Sequence, residues 1–159
     1  MEPPSTPRVT VLNETSSRGL AAGIRRAVAT VLTLHGQPSA TVCVLLGDDE
    51  RIRDLNRTYR NVDEPTDVLS FAAPEVPGGP LGDIAISVPY AQRQAAARNV
   101  PLKVEAAYLA IHGALHLLGF DDETEGDRAE MFAEMHRMGI AAGLPPETEW
   151  TSVLHEVPA

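Results

Sequence analysis

The chain has 159 residues, 43% of them hydrophobic, and a single cysteine, a composition that suits one soluble domain and excludes an internal disulfide. It has no run of about eighteen apolar residues, and the N-terminal MEPPSTPR lacks the basic and apolar blocks of a secretion signal, so the expectation is a cytoplasmic protein without a membrane partner. The net charge of −9 sits entirely in the C-terminal third, because residues 1–103 carry 11 Lys+Arg against 11 Asp+Glu and residues 104–159 carry 2 against 11, which leaves the first two thirds free to present a basic face to a polyanion.

VTVLN (9–13) reads as a first strand. Ser16 or Ser17 is expected to cap a helix whose apolar stripe is Leu20, Ile24, Val28, Val31 and Leu32, with Gly36 at its end. TVCVLL (41–46) is a continuous apolar run suited to a strand buried on both faces, with Cys43 a small buried hydrophobe rather than a reactive thiol. DDERIRDLNRTYR (48–60) opens with acidic residues that suit the positive end of a helix dipole. Its residues Ile52, Leu55 and Tyr59 are expected to pack inward, while Arg53, Arg57 and Arg60 share another face. DVLSF (67–71) and GDIAISV (82–88) read as antiparallel strands joined by the exposed loop AAPEVPGGP. Ser87 caps a helix to about Arg98, and Pro101 opens the apolar helix LKVEAAYLAIHGALHLL. Thr124 with Asp127 starts a last helix to Ala142, in which Met131, Met135 and Met138 fill the core. The order β-α-β-α-β-β-α-α-α predicts a single α+β domain over residues 1–159, with about four strands in a mixed sheet and about five α-helices. Its core spans about residues 8–143, and the tail from Glu147 is loosely ordered.

HGALHLLGFDD (112–122) carries the chemistry. A helix turns about 100° per residue, so His112 and His116 share one face a turn apart and can grip one ion. Spacing alone also fits a hydrogen-bonded histidine pair. The continuation adds weight, because Gly119 is the residue type that ends a helix in a left-handed turn and brings Phe120-Asp121-Asp122 back toward the histidines. The spacing H-x-x-x-H-x-x-G-x-x-D matches zinc proteases of the H-E-x-x-H-x-x-G-x-x-H type with two changes. Gly113 replaces their general base, and Asp122 replaces their third histidine, with Asp121 a rival for that role. An aspartate oxygen ligates zinc at about 2.0–2.2 Å, but its charge makes a bound water a weaker acid than three histidines would. Glu105, seven residues before His112, is read as a surface or capping glutamate rather than a partner of a histidine.

HGALHLLGFDD closely resembles the H-G-x-L-H-L-x-G-[YF]-D-H signature of the YbeY endoribonucleases. LNRTYRNVDEPTDVLSF (55–71) and LGDIAIS (81–87) resemble that family's other two marked segments, in the same order, so the resemblance covers roughly residues 40–140. It implies a zincin-like, metal-dependent hydrolase of single-stranded RNA, acting on the 3′ end of small-subunit rRNA and in ribosome quality control. The implied partners are rRNA, the small ribosomal subunit and its assembly proteins, with no DNA substrate. It carries His112 and His116 onto the first two zinc ligands, Asp122 onto the third, and the family's functional arginine onto Arg60. The expectation is one Zn²⁺ on His112, His116 and Asp122 that activates water, with Arg60 on the phosphate. Strand 82–88 would form one wall of the cleft, and Arg53, Arg57 and Arg60, joined by Arg93, Arg98 and Lys103, would serve substrate entry. Arginines at this spacing also fit a plain solvated face. The alternatives are a zincin-type metalloprotease, opposed by Gly113, and a ribosome-assembly factor whose metal is structural.

Overall fold

The computed structural model describes residues 6–146, so the tail from Glu147 lies outside the described residues. Four strands form one sheet in the order β1-β2-β4-β3. β1 (Arg8–Asn13), β2 (Thr41–Gly47) and β4 (Gly82–Ser87) run parallel, and β3 (Val68–Ala72) lies antiparallel to β4 at one edge. Five helices complete the α+β fold: α1 (Ala21–Leu34), α2 (Asp49–Arg60), α3 (Val88–Arg98), α4 (Leu102–Leu117) and α5 (Glu125–Ala141). None is long and apolar enough to cross a membrane.

Side-chain alternation splits the strands between two apolar clusters. Val42, Val44, Leu46, Ile84 and Ile86 pack with α1, α4 and α5, whereas Leu69 and Ala85 pack with Ile52 of α2. α2 covers its face only in part, so Cys43 and Leu45 are half-buried and β2 is fully buried on one face, not both. Burial raises the Cys43 thiol pKa, helped by Asp83, which keeps the thiol protonated and unreactive. α4 runs through the middle of the molecule, and twelve of its sixteen residues are buried.

Local chemistry ends the helices. Asp48, Ser87 and Thr124 cap α2, α3 and α5 by accepting from the backbone N–H three residues on. α1 differs from expectation. Leu20 stands at its N-cap without a side-chain bond, because Ser16 and Ser17 belong to a loop organised by Asn13, which accepts from Thr15 and donates to the Ser17 carbonyl. Tyr59 is also corrected: it is 69% exposed, because in the last turn of α2 its ring meets Phe71 of the edge strand, 5.6 Å away, rather than the core. Glu105 is fully buried, not a surface residue. It pairs with Arg98 at 3.0 Å and accepts from Gln94, tying α3 to α4.

Candidate metal centre

The end of α4 builds the site. Gly119 at φ +99° stops the helix, its N–H donating to the His116 carbonyl and the Phe120 N–H to the Leu115 carbonyl. This paired closure is the Schellman arrangement. It also aims the Phe120 carbonyl at His116, whose Nδ1 lies 3.0 Å from that oxygen. A carbonyl only accepts, so Nδ1 is the donor, and Nε2 is the nitrogen turned toward His112. At His112, Nδ1 faces the Met135 sulfur at 3.4 Å, a weak acceptor that favours the same tautomer.

The Nε2 atoms of both histidines point to one place. The two Nε2 atoms are 3.1 Å apart, and Asp122 Oδ2 is 3.7 Å from each. Ligands of one tetrahedral zinc at about 2.0–2.2 Å stand roughly 3.3–3.6 Å from each other, a range these separations bracket, so the three donors could hold a single ion and leave a fourth direction open. His112, His116 and Asp122 thus form a group that could hold a metal ion. Side-chain exposure rises from 13% at His112 to 41% at Asp122, so the cradle opens on its Asp122 side. Asp121 faces elsewhere. Its Oδ1 accepts from the backbone N–H groups of Asp122 and Glu123 at 2.7 and 3.1 Å, a turn that directs Asp122 back to the histidines.

Gly113 has a structural reason of its own. A Cβ there would stand 2.8 Å from Ile84 Cγ2 and 3.1 Å from Ser70 Oγ, so this face of α4 lies against the sheet and has no room for a glutamate. Ser70 is a residue that the sequence reading missed. Its hydroxyl donates to the Gly113 carbonyl at 2.9 Å. The available signal was a polar residue at a core-facing position of β3, in step with Val68.

The arginines separate once their neighbours are seen. Arg53 pairs with Asp63 at 2.8 Å, Arg57 with Asp54 at 2.9 Å and Arg93 with Asp49 at 2.9 Å, while Arg98 is buried against Glu105. The expected entry face is therefore largely neutralised, and Arg98 is not part of it. Arg60 differs. Its guanidinium donates to the Ser70 carbonyl and lies 5.5 Å from the Phe71 ring centroid, and among the described residues it pairs with no carboxylate. β4, within strand 82–88, is interior to the sheet, and β3 forms the edge. Residue 70 pairs with residue 84 between the bonded pairs at 67/87 and 73/81, so the Ser70 carbonyl points to the open edge.

Residues 10–140 match the family model described as Endoribonuclease YbeY. The chain is 49% identical over 116 residues to the Endoribonuclease YbeY of Moorella thermoacetica, covering 66% of this chain and 74% of that protein. It is 44% identical over 133 residues to the Endoribonuclease YbeY of Geobacillus kaustophilus, covering 76% of this chain and 85% of that protein. The solution structure of TM1509 from Thermotoga maritima superposes with a TM-score of 0.62 at 26% identity, covering 84% of this chain and 88% of that one.

Proposed function

This chain belongs to the YbeY endoribonuclease family, and from that premise we propose that it is a zinc-dependent endoribonuclease. It hydrolyses single-stranded RNA in the cytoplasm and acts in 3′-end maturation of small-subunit rRNA and in ribosome quality control, in contact with the small subunit and its assembly proteins. The observation that carries the reading is the convergence of His112 Nε2, His116 Nε2 and Asp122 Oδ2 on one point. Zn²⁺ held there by His112, His116 and Asp122 would supply the Lewis acidity that phosphodiester hydrolysis by water needs.

The chain's own residues do the rest. The Phe120 carbonyl accepts from His116 Nδ1 and so orients the ring with Nε2 as the ligating nitrogen. Asp122 adds a carboxylate oxygen to the two imidazole nitrogens. Arg60 exchanges the Ser70 carbonyl for nonbridging phosphate oxygens, where charge grows in the transition state. The close packing at Gly113 disfavours a protease reading, because the position of that mechanism's base is filled by Ile84 and Ser70. Elemental analysis of the purified protein, paired with cleavage of a short single-stranded RNA by wild type and Asp122→Ala, tests the reading. Stoichiometric zinc and cleavage in wild type, both lost in the variant, are expected; a metal-free wild type, or an inactive one, ends it.

A further inference from the structure

We propose that Tyr59, backed by Phe71, is a stacking platform for an unpaired base of the RNA strand beside the metal centre; this rests on the endoribonuclease reading. Tyr59 continues the inward stripe of Ile52 and Leu55, yet the residue is 69% exposed while Ile52 is fully buried. Exposing an aromatic ring forgoes apolar burial, and this one stands against Phe71, centroids 5.6 Å apart and planes at 63°. The edge-on contact holds the Tyr59 ring in place while most of its surface stays open. Arg60, the next residue, lies 5.5 Å from the same Phe71 ring. An open aromatic face beside a cation that pairs with no described carboxylate is the combination that binds a single strand, one part taking a base and the other a phosphate.

Its position fits the reaction. Arg60 is one hydrogen bond from Ser70, and Ser70 one hydrogen bond from Gly113, the neighbour of His112. A nucleotide with its phosphate on Arg60 therefore has its base within reach of Tyr59. A base locked in a duplex offers no free face, so the platform selects single strands.

The test compares Tyr59→Leu, which still covers Phe71 but cannot stack, with Tyr59→Phe, which can. For the zinc-loaded protein, Tyr59→Leu is expected to raise KM for a short single-stranded RNA about tenfold, with kcat and zinc content held. Tyr59→Phe is expected to restore KM. Fluorescence of 2-aminopurine placed in the RNA, read by stopped flow before cleavage, should be quenched on wild type and Tyr59→Phe and not on Tyr59→Leu. If wild type cleaves RNA while Tyr59→Leu matches it in KM and quenching, the platform is overturned and the nuclease stands. If wild type neither binds nor cleaves RNA, the nuclease reading fails and the platform with it.

Discussion

The hydroxyl of Ser70 donates to the carbonyl of Gly113 at 2.9 Å, which fastens the edge strand β3 to helix α4 between His112 and His116. The contact needs a glycine, since a Cβ at 113 would meet Ile84 Cγ2 at 2.8 Å. Gly113→Ala is therefore expected to lower stability by roughly 1–3 kcal/mol through overpacking, measured as a shift in the urea midpoint. Gly113→Glu should fail to fold, and a soluble Gly113→Glu protein with peptidase activity would contradict this packing argument.

At the metal centre, the two neighbouring aspartates separate by role. Asp122→Ala should lose zinc, whereas Asp121→Ala, which removes only a turn acceptor, should keep it with weakened affinity. Asp122→His is the informative gain. Replacing an anionic ligand by a neutral one leaves the ion more strongly electron-withdrawing, so the acid limb of the rate–pH profile should move to lower pH. A profile that stays in place would show that Asp122 does not set the acidity at the site.

Arg60→Ala should reduce RNA cleavage by about a hundredfold or more while leaving zinc bound, the size seen when one donor to a developing charge is removed. Arg60→Lys should recover little, because an ammonium lacks the two-pronged geometry that suits a phosphate. Arg53→Ala and Arg57→Ala, whose charges already face Asp63 and Asp54, should change KM by less than Arg60→Ala changes the rate. Equal losses at all three would favour a diffuse basic face.

Acid sensitivity is expected at the junction of α1 and α5, where Glu134 takes Arg137 at 2.6 and 2.8 Å and His35 at 2.5 Å. The Arg137 hydrogen bonds hold the Glu134 carboxyl below the usual range, burial opposes them, and the charges of Arg137 and His35 add to the lowering. A lowered folded-state pKa means that the stabilisation is full above the unfolded value of about 4.3. It is then lost as the pH falls through the folded value. Glu134→Gln should cost roughly 1 kcal/mol at pH 7, discounted for the exposure of Arg137, and should flatten the decline of stability below about pH 4.3. Urea midpoints across pH 3–7 for the two proteins check this.

Much of the molecule was legible from short stretches of chain. The order of nine elements, the caps Asp48, Ser87 and Thr124, the methionine core of α5 and the return of the chain after Gly119 all rest on chemistry within a few residues. The donor types at the cradle were legible for the same reason, since His112, His116 and Asp122 lie on one helix and the turn that ends it.

Other features depended on what faces what across the fold. Tyr59 follows an inward stripe but lies on the last turn of α2, against the edge strand. Glu105 reads as a surface residue until α3 brings Arg98 and Gln94 to it. Three arginines look alike at helical spacing, and only Asp54, Asp63 and the Ser70 carbonyl distinguish them. The sequence by itself determined which groups could ligate a metal, because backbone periodicity and turn geometry are local. Tertiary structure decided which way each imidazole is turned, which charges are already neutralised and which ring stays open, because each depends on a partner brought close by the folded sheet.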